Sequence, residues 1–180
     1  MRVIAGKFRS RRLKSMPGLT VRPTPDRLRE TLFNVLAPEI EGTVFLDAYA
    51  GTGAVGIEAL SRGARHIILF ERDRAALAIT QENLSSLEIS VEATVCRGNA
   101  LTLIPKHHAD IVFLDPPYQH TRDYQAALES LAETGCALVI AQHDTHTKLP
   151  EGVAALKRSR VLRQGSNMLS FYRRNGKDAV

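Results

Sequence analysis

The stretch V-F-L-D-A-Y-A-G-T-G-A-V-G, positions 44–56, narrows what this chain can fold into more than any other. Val44, Phe45, Leu46 and Asp47 read as a strand, and Gly51 and Gly53 form a tight turn. Ala54, Val55, Ile57, Glu58, Ala59 and Leu60 then follow at helical spacing. Glycine at 51 and 53 tolerates positive φ and carries no Cβ, so a ligand can lie against bare backbone at the helix N-terminus. A strand–turn–helix of this kind predicts a nucleotide site. Gly51, Gly53 and Gly56 also satisfy G-x-G-x-x-G, with Glu71 about 20 positions on, as in dinucleotide folds.

Two residue patterns favour S-adenosylmethionine over a dinucleotide. Asp47 ends the strand four residues before Gly51, where a carboxylate repels a pyrophosphate but suits an ammonium or sulfonium. D-P-P-Y at 115–118 follows a later strand, and a dehydrogenase has no need of it. An NAD-dependent enzyme is therefore the disfavoured alternative.

Further along, His66-Ile-Ile-Leu-Phe-Glu71, 91–96, 110–114 and 137–142 read as strands, and 74–84 and 123–133 as helices. Strands alternating with helices predict a parallel sheet with helices on both faces, closed by an antiparallel hairpin of 153–163 with 168–173. Asp47, Glu71, Asn99 and Asp115 all fall at carboxyl ends of strands, the edge where open α/β sheets bind ligands. Glu71 is expected to accept ribose hydroxyls and Asn99 to hydrogen-bond adenine.

Charge is uneven. Residues 1–29 hold nine Lys or Arg against Asp26 alone, while the rest of the chain is net −3. A basic end of this kind predicts a polyanionic partner, with a solvated charged arm as the alternative. Residues 2–5 and 7–13 are expected to pair as a basic β-ribbon. Thr24 is expected to N-cap a helix with Pro25 at its first position. Leu28, Leu32, Phe33, Val35 and Leu36 would line its inner face, leaving Arg27 and Arg29 outward. No metal site is expected. Cys96 and Cys136 lie in apolar runs as buried thiols, and His107, His108, His143 and His146 lack partners at ligand spacing and read as solvated loop residues. With 44% hydrophobic residues the chain can build a packed core. Without a membrane-length apolar run or a signal-like N-terminus, it is expected to be soluble, cytoplasmic and monomeric.

D-A-Y-A-G-T-G-A-V-G, F-E-R-D, G-N-A-L and D-P-P-Y together resemble class I S-adenosylmethionine-dependent methyltransferases of the amino-methylating branch. The opening R-V-I-A-G-K-F-R-S-R-R-L, then R-P-T-P-D-R-L-R-E-T-L-F-N-V-L and G-I-E-A-L-S-R-G-A, narrow the resemblance to the bacterial RsmD-type small-subunit ribosomal RNA guanine-N2 methyltransferases over essentially the whole chain. The resemblance implies a Rossmann-like α/β domain over 38–180, with a mostly parallel seven-stranded sheet, and an RNA-binding extension over 1–37. It implies S-adenosylmethionine held by Asp47, Tyr49, Ala50, Gly51, Thr52, Gly53, Glu71, Arg72, Asn99, Ala100 and Asp115. Asp115, Pro116, Pro117 and Tyr118 would carry the transfer. Ribosomal RNA, in an assembled or assembling small subunit, would meet Arg2, Lys7, Arg9, Arg11, Arg12, Arg22, Thr24, Arg27 and Arg29. Asn99 stands where relatives often carry Asp, and Gln142 where they often carry Glu.

D-P-P-Y also fits the chemistry of an exocyclic amine, whose lone pair is delocalised into the ring. Asp115 and the Pro116 carbonyl can hold its two hydrogens out of the base plane while Tyr118 stacks on the base. Adenine-N6 methylation of DNA is chemically equivalent, but the chain has no insertion large enough for a DNA-recognition domain. A non-catalytic nucleic-acid adaptor would not need the intact glycine turn and D-P-P-Y.

Overall fold

A computed structural model describes residues 1–16, 25–117 and 121–174. In chain order the elements are α1 (Asp26–Leu36), β1 (Val44–Asp47), α2 (Ala54–Ser61), β2 (His66–Glu71), α3 (Arg74–Ser86), β3 (Ala93–Arg97) and α4 (Ala100–Leu103). A 3-10 turn (Ile104–Lys106) follows, then β4 (Ile111–Leu114), α5 (Thr121–Thr134), β5 (Leu138–Asp144), β6 (Gly152–Val153), β7 (Leu156–Gln164) and β8 (Asn167–Arg174).

The strands form one mixed sheet in the order β3-β2-β1-β4-β5-β8-β7-β6. The first five are parallel, and β8 pairs antiparallel with both β5 and β7. The expected seven strands are present with a two-residue eighth, β6, on the outer edge. The closing hairpin turns at Gly165, which takes φ 63.

Alternation along each strand divides the core in two. Phe45, Ile67, Leu69, Phe113 and Ile140 pack with α1 and α2 on one face, where the Phe33 and Phe45 rings lie 5.9 Å apart. Leu46, Ile68, Phe70, Val112 and Ala141 pack with α4 and α5 on the other. Chain order reverses between β1 and β4: β1 goes on to β2 on one side and receives β4 on the other. That divergence opens a crevice at the carboxyl ends of the strands.

The N-terminal segment departs from expectation. Residues 1–3 and 10–13 do pair, through the antiparallel Arg2–Arg12 bridge and bonds from the Val3, Ser10 and Leu13 N–H groups to the Arg11, Val3 and Met1 carbonyls, but the ribbon is shorter than expected. Between the two, backbone N–H groups go to α2. Ile4 and Ala5 donate to the Glu58 carboxylate at 2.8 and 3.1 Å, Lys7 donates to the Ser61 carbonyl at 2.7 Å, and Phe8 donates to Ser61 Oγ at 2.9 Å. Gly6 makes the approach possible, since at φ 79 a Cβ there would sit 1.7 Å from the Ser61 oxygen. Val3, Phe8 and Leu13 are thereby buried in the same core as α1.

Helix α1 starts at Asp26, with Pro25 in the N-cap position and no side-chain cap; Thr24 lies outside the described residues. Arg29 does not face outward. It is fully buried, its Nη2 donating to the Arg2 carbonyl at 2.7 Å and to Asp26 at 2.9 Å. Positions 28, 29, 32, 33 and 36 make one continuous helical stripe, so Arg29 follows the apolar residues inward.

His143 is also inside. It is buried on β5, with Nε2 2.9 Å from Ser170 Oγ, and burial pushes its imidazole below the usual range. His107 is half-buried against the Phe70 ring at 5.0 Å, whereas His108 and His146 are exposed as expected. Cys136 is buried and Cys96 half-buried, both free. Among the described residues no helix is long and apolar enough to cross a membrane, and no cluster of His, Cys, Asp and Glu could hold a metal ion.

Candidate active site

A cavity of about 450 Å³ occupies the crevice. Its wall contains Asp47, Tyr49, Ala50, Gly51, Thr52, Glu71, Arg72, Asn99, Ala100, Asp115, Pro116 and Pro117 from the residues expected at the site. Phe70, Asp73, Ala76, Phe113, Asp123 and Gln142 also line it, as do Met1 and Met16 from the N-terminal segment. Tyr118 and Arg22 lie outside the described residues.

The glycine turn is held from three sides. Gly51 and Gly53 take φ 56 and 79, and an added Cβ at Gly51 would meet nothing within 4 Å, so this backbone borders open space. Glu71 Oε2 accepts from the Gly51 N–H at 2.8 Å, while its other oxygen accepts from the Asp73 N–H at 2.7 Å. From behind, buried Thr80 donates to the Gly51 carbonyl at 2.8 Å, and buried Asn83 donates to the Thr52 carbonyl at 2.9 Å. Asn83 also exchanges hydrogen bonds with the Lys14 backbone, which ties the turn to the N-terminal segment. Gly53 itself remains in the turn as the N-cap of α2. Gly56 packs against Leu69, where a Cβ would fall 2.3 Å from a Leu69 methyl.

The sequence reading does not single out Thr80 and Asn83. The available signal is two polar residues, three apart, that share the inner face of α3 with Ala76 and Leu84.

The electrostatics of the cavity are one-sided. Among the described residues, Asp47, Glu71, Asp73, Asp115 and Asp123 line it against one Arg or Lys side chain, that of Arg72. Asp47 is 1% exposed, and burial, then Asp115, push its carboxyl up to about 7. Hydrogen bonds from the Tyr49 and Gly56 N–H groups pull the other way without winning. Such a group is poised to gain from an incoming cation. Burial, then Asp123, raise the Tyr49 phenol, whose hydroxyl lies 3.4 Å from Asp123 Oδ2.

Asn99 caps α4, its Oδ1 accepting from the Leu101 N–H at 3.0 Å. That bond takes one of the oxygen's two lone pairs, and the other, with the Nδ2 group, is left for a ligand. Asp115 follows β4 directly and is half-buried, Pro116 is buried and Pro117 exposed.

These features fit S-adenosylmethionine: an acidic, enclosed wall for a cationic ligand, beside bare glycine backbone. They do not fit a pyrophosphate, which would meet five carboxylates. Of the basic residues expected to meet RNA, Arg2, Lys7, Arg9, Arg11, Arg12 and Arg27 are exposed, and none of them lines the cavity. Arg11 spends one donor on the Ser86 carbonyl at 2.8 Å, and Lys7 lies over the Phe8 ring.

Comparison with known proteins agrees with this geometry. The family model described as conserved hypothetical protein 95 matches residues 1–173. YlbH of Bacillus subtilis is 37% identical over 187 residues, spanning 98% of this chain and 100% of that protein. The ribosomal RNA small subunit methyltransferase D of Haemophilus influenzae is 40% identical over 131 residues, spanning 70% of this chain and 68% of that protein. The solved structure of yhhF from Escherichia coli matches with a TM-score of 0.85 at 36% identity, covering 98% of this chain and 99% of that one.

Proposed function

The chain belongs to the family described as conserved hypothetical protein 95, an RsmD-type methyltransferase family, and from that premise we propose that it methylates the exocyclic N2 amine of one guanine in small-subunit ribosomal RNA, using S-adenosylmethionine. The observation that carries this reading is the acidic cavity at the β1/β4 divergence, with Asp115-Pro116-Pro117 in its wall. The name of the Haemophilus influenzae relative supports the ribosomal RNA substrate.

The cofactor supplies a methyl group made electrophilic by its sulfonium. Asp47 takes the ammonium of the methionine moiety, which favours its ionised form. Each Glu71 oxygen keeps a second lone pair beside the N–H it already accepts, enough for the ribose hydroxyls. Asp115 and the Pro116 carbonyl accept the two N2 hydrogens, which turns the amine lone pair out of conjugation for direct displacement. The proton released from the amine passes to the Asp115 carboxylate. Tyr118 stacks on the base. No enzyme nucleophile is needed, and buried Cys136, its thiol pushed up to about 12 by burial, is unsuited to be one.

Residues 1–37 act as the RNA-binding extension. Arg2, Lys7, Arg9, Arg11, Arg12 and Arg27 are exposed and would take phosphates, on an N-terminal segment whose Met1 and Met16 reach the cavity wall. Arg29 drops out of this set, because a fully buried guanidinium cannot reach a phosphate. The test is to supply labelled S-adenosylmethionine and small subunits from cells lacking the gene, then map the ribosomal RNA by mass. A single new N2-methylguanosine is expected. Label on adenine N6, or none, overturns the reading.

A further inference from the structure

Gln142 lies on β5 in the cavity wall, 5% exposed, and its Oε1 is buried with no hydrogen-bond partner. The strand holds it firmly. The Tyr124 hydroxyl donates to its backbone carbonyl, and its Cα pairs with Leu169 of β8. The β4–β5 register pairs Leu114 with Ala141, so one step further Gln142 stands beside Asp115. A buried carboxamide oxygen left unmatched is destabilising. Neither the cofactor site nor the amine-holding pair proposed above makes use of this side chain. Its acceptor and donor ends match a ligand that offers one donor and one acceptor side by side.

A guanine whose N2 is held by Asp115 and Pro116 presents such a pair next along its edge, N1–H and then O6. An adenine seated by N6 presents only the unprotonated N1 there. We propose that Gln142 is a specificity-determining residue that reads the target base, its carboxamide accepting from guanine N1–H and donating to O6. This rests on the guanine-N2 reading above and adds to it the group that tells guanine from other amino-purines. The carboxamide takes no part in bond making. It fixes which amine can be presented to Asp115.

The test uses small subunits reconstituted with ribosomal RNA carrying either guanine or 2-aminopurine at the mapped position. 2-Aminopurine keeps the N2 amine but has neither N1–H nor O6. The wild-type protein should prefer guanine in kcat/KM on the order of 10- to 100-fold, as expected where a buried polar group is left unmatched. Gln142→Met should lose most of that factor on guanine and stay within about threefold of wild type on 2-aminopurine, so the ratio collapses. Affinity for S-adenosylhomocysteine should stay unchanged, which also reports that the variant is folded. Gln142→Glu keeps an acceptor for N1–H but no donor for O6, and should retain part of the preference. A ratio preserved in both variants, an equal fall on both bases, or a loss of cofactor affinity overturns the proposal. If the wild-type protein methylates natural subunits at a site other than guanine N2, the reading beneath it fails first.

Discussion

The cavity wall and the N-terminal segment use the same kinds of residue to opposite ends. At the strand ends, Asp47, Glu71 and Asp115 stand together in a wall that, among the described residues, includes the single arginine Arg72. Around the N-terminal segment, ionic and polar groups are spent inside the protein. Buried Glu58 accepts from the Ile4 and Ala5 N–H groups and pairs with Arg62 at 2.7 Å, and buried Arg29 holds the Arg2 carbonyl. Like charges in sequence therefore have unlike fates. Glu58, which gathers backbone donors and a guanidinium from outside its own helix turn, builds the fold, whereas Asp47 keeps a raised carboxyl beside Asp115 in the cavity wall, where an incoming cation would relieve it.

The comparison can be broken most severely at Asp115. Asp115→Ala should lower methyl transfer by about 10³-fold or more, a loss of roughly 4 kcal/mol of transition-state stabilisation. Cofactor affinity should hold within a few-fold, as calorimetry alongside single-turnover assays would report. Equal loss of both would make Asp115 a cofactor residue only.

The matching break in the other region is Glu58→Ala, which strands two backbone N–H groups and the half-buried Arg62. It should cost about 3 kcal/mol of folding stability by denaturant unfolding while leaving the cavity chemistry intact in whatever protein folds. A loss under about 1 kcal/mol would mean that the segment is not held through α2.

Asp47→Asn sharpens the contrast, because it should help the fold and harm the site. A carboxyl whose folded value is raised to about 7 favours folding while protonated. Asp47's contribution to ligand-free stability is therefore fully present below about pH 4 and is lost as pH rises through about 7. Removing the charge should stabilise the empty protein at pH 8 by on the order of 2–4 kcal/mol, change little at pH 4, and weaken cofactor binding. Pulse proteolysis across that range would show it, and parallel curves for the two proteins would contradict it.

The smallest effect belongs to the exposed arginines. Replacing Arg9 and Arg12 with Ala should leave stability unaltered and flatten the salt dependence of RNA binding by about 0.7–0.9 for each phosphate no longer neutralised. An unchanged slope would leave these residues without an RNA role.

The same contrast explains what is legible in the sequence. Strand–turn–helix boundaries around 44–56 and the strand-end acids can be read because their determinants are local: apolar runs, glycines and the residue after each strand. The N-terminal segment is only half legible: alternation predicts the pairing of 1–3 with 10–13, but residues 4–8 bond to Glu58 and Ser61, over 50 positions away. Arg29 misleads for a different reason. A charged residue on a buried helical stripe invites assignment by its type, whereas its phase along the helix decides. Gln142 can be marked as a departure from the family pattern, but its orphaned oxygen cannot be read, since an amide at the end of an apolar strand looks the same whether it is satisfied or not.

The central claim is that the crowded carboxylates at the strand ends are kept for a cationic cofactor. The direct measurement is calorimetric titration with S-adenosylmethionine at pH 6.5, repeated in buffers of differing ionisation enthalpy. The ammonium should pull Asp47 below about 7, so binding should release a measurable fraction of a proton, and Asp47→Asn should abolish that release. Binding of NADH in place of S-adenosylmethionine, or cofactor binding with no proton released, would contradict the account.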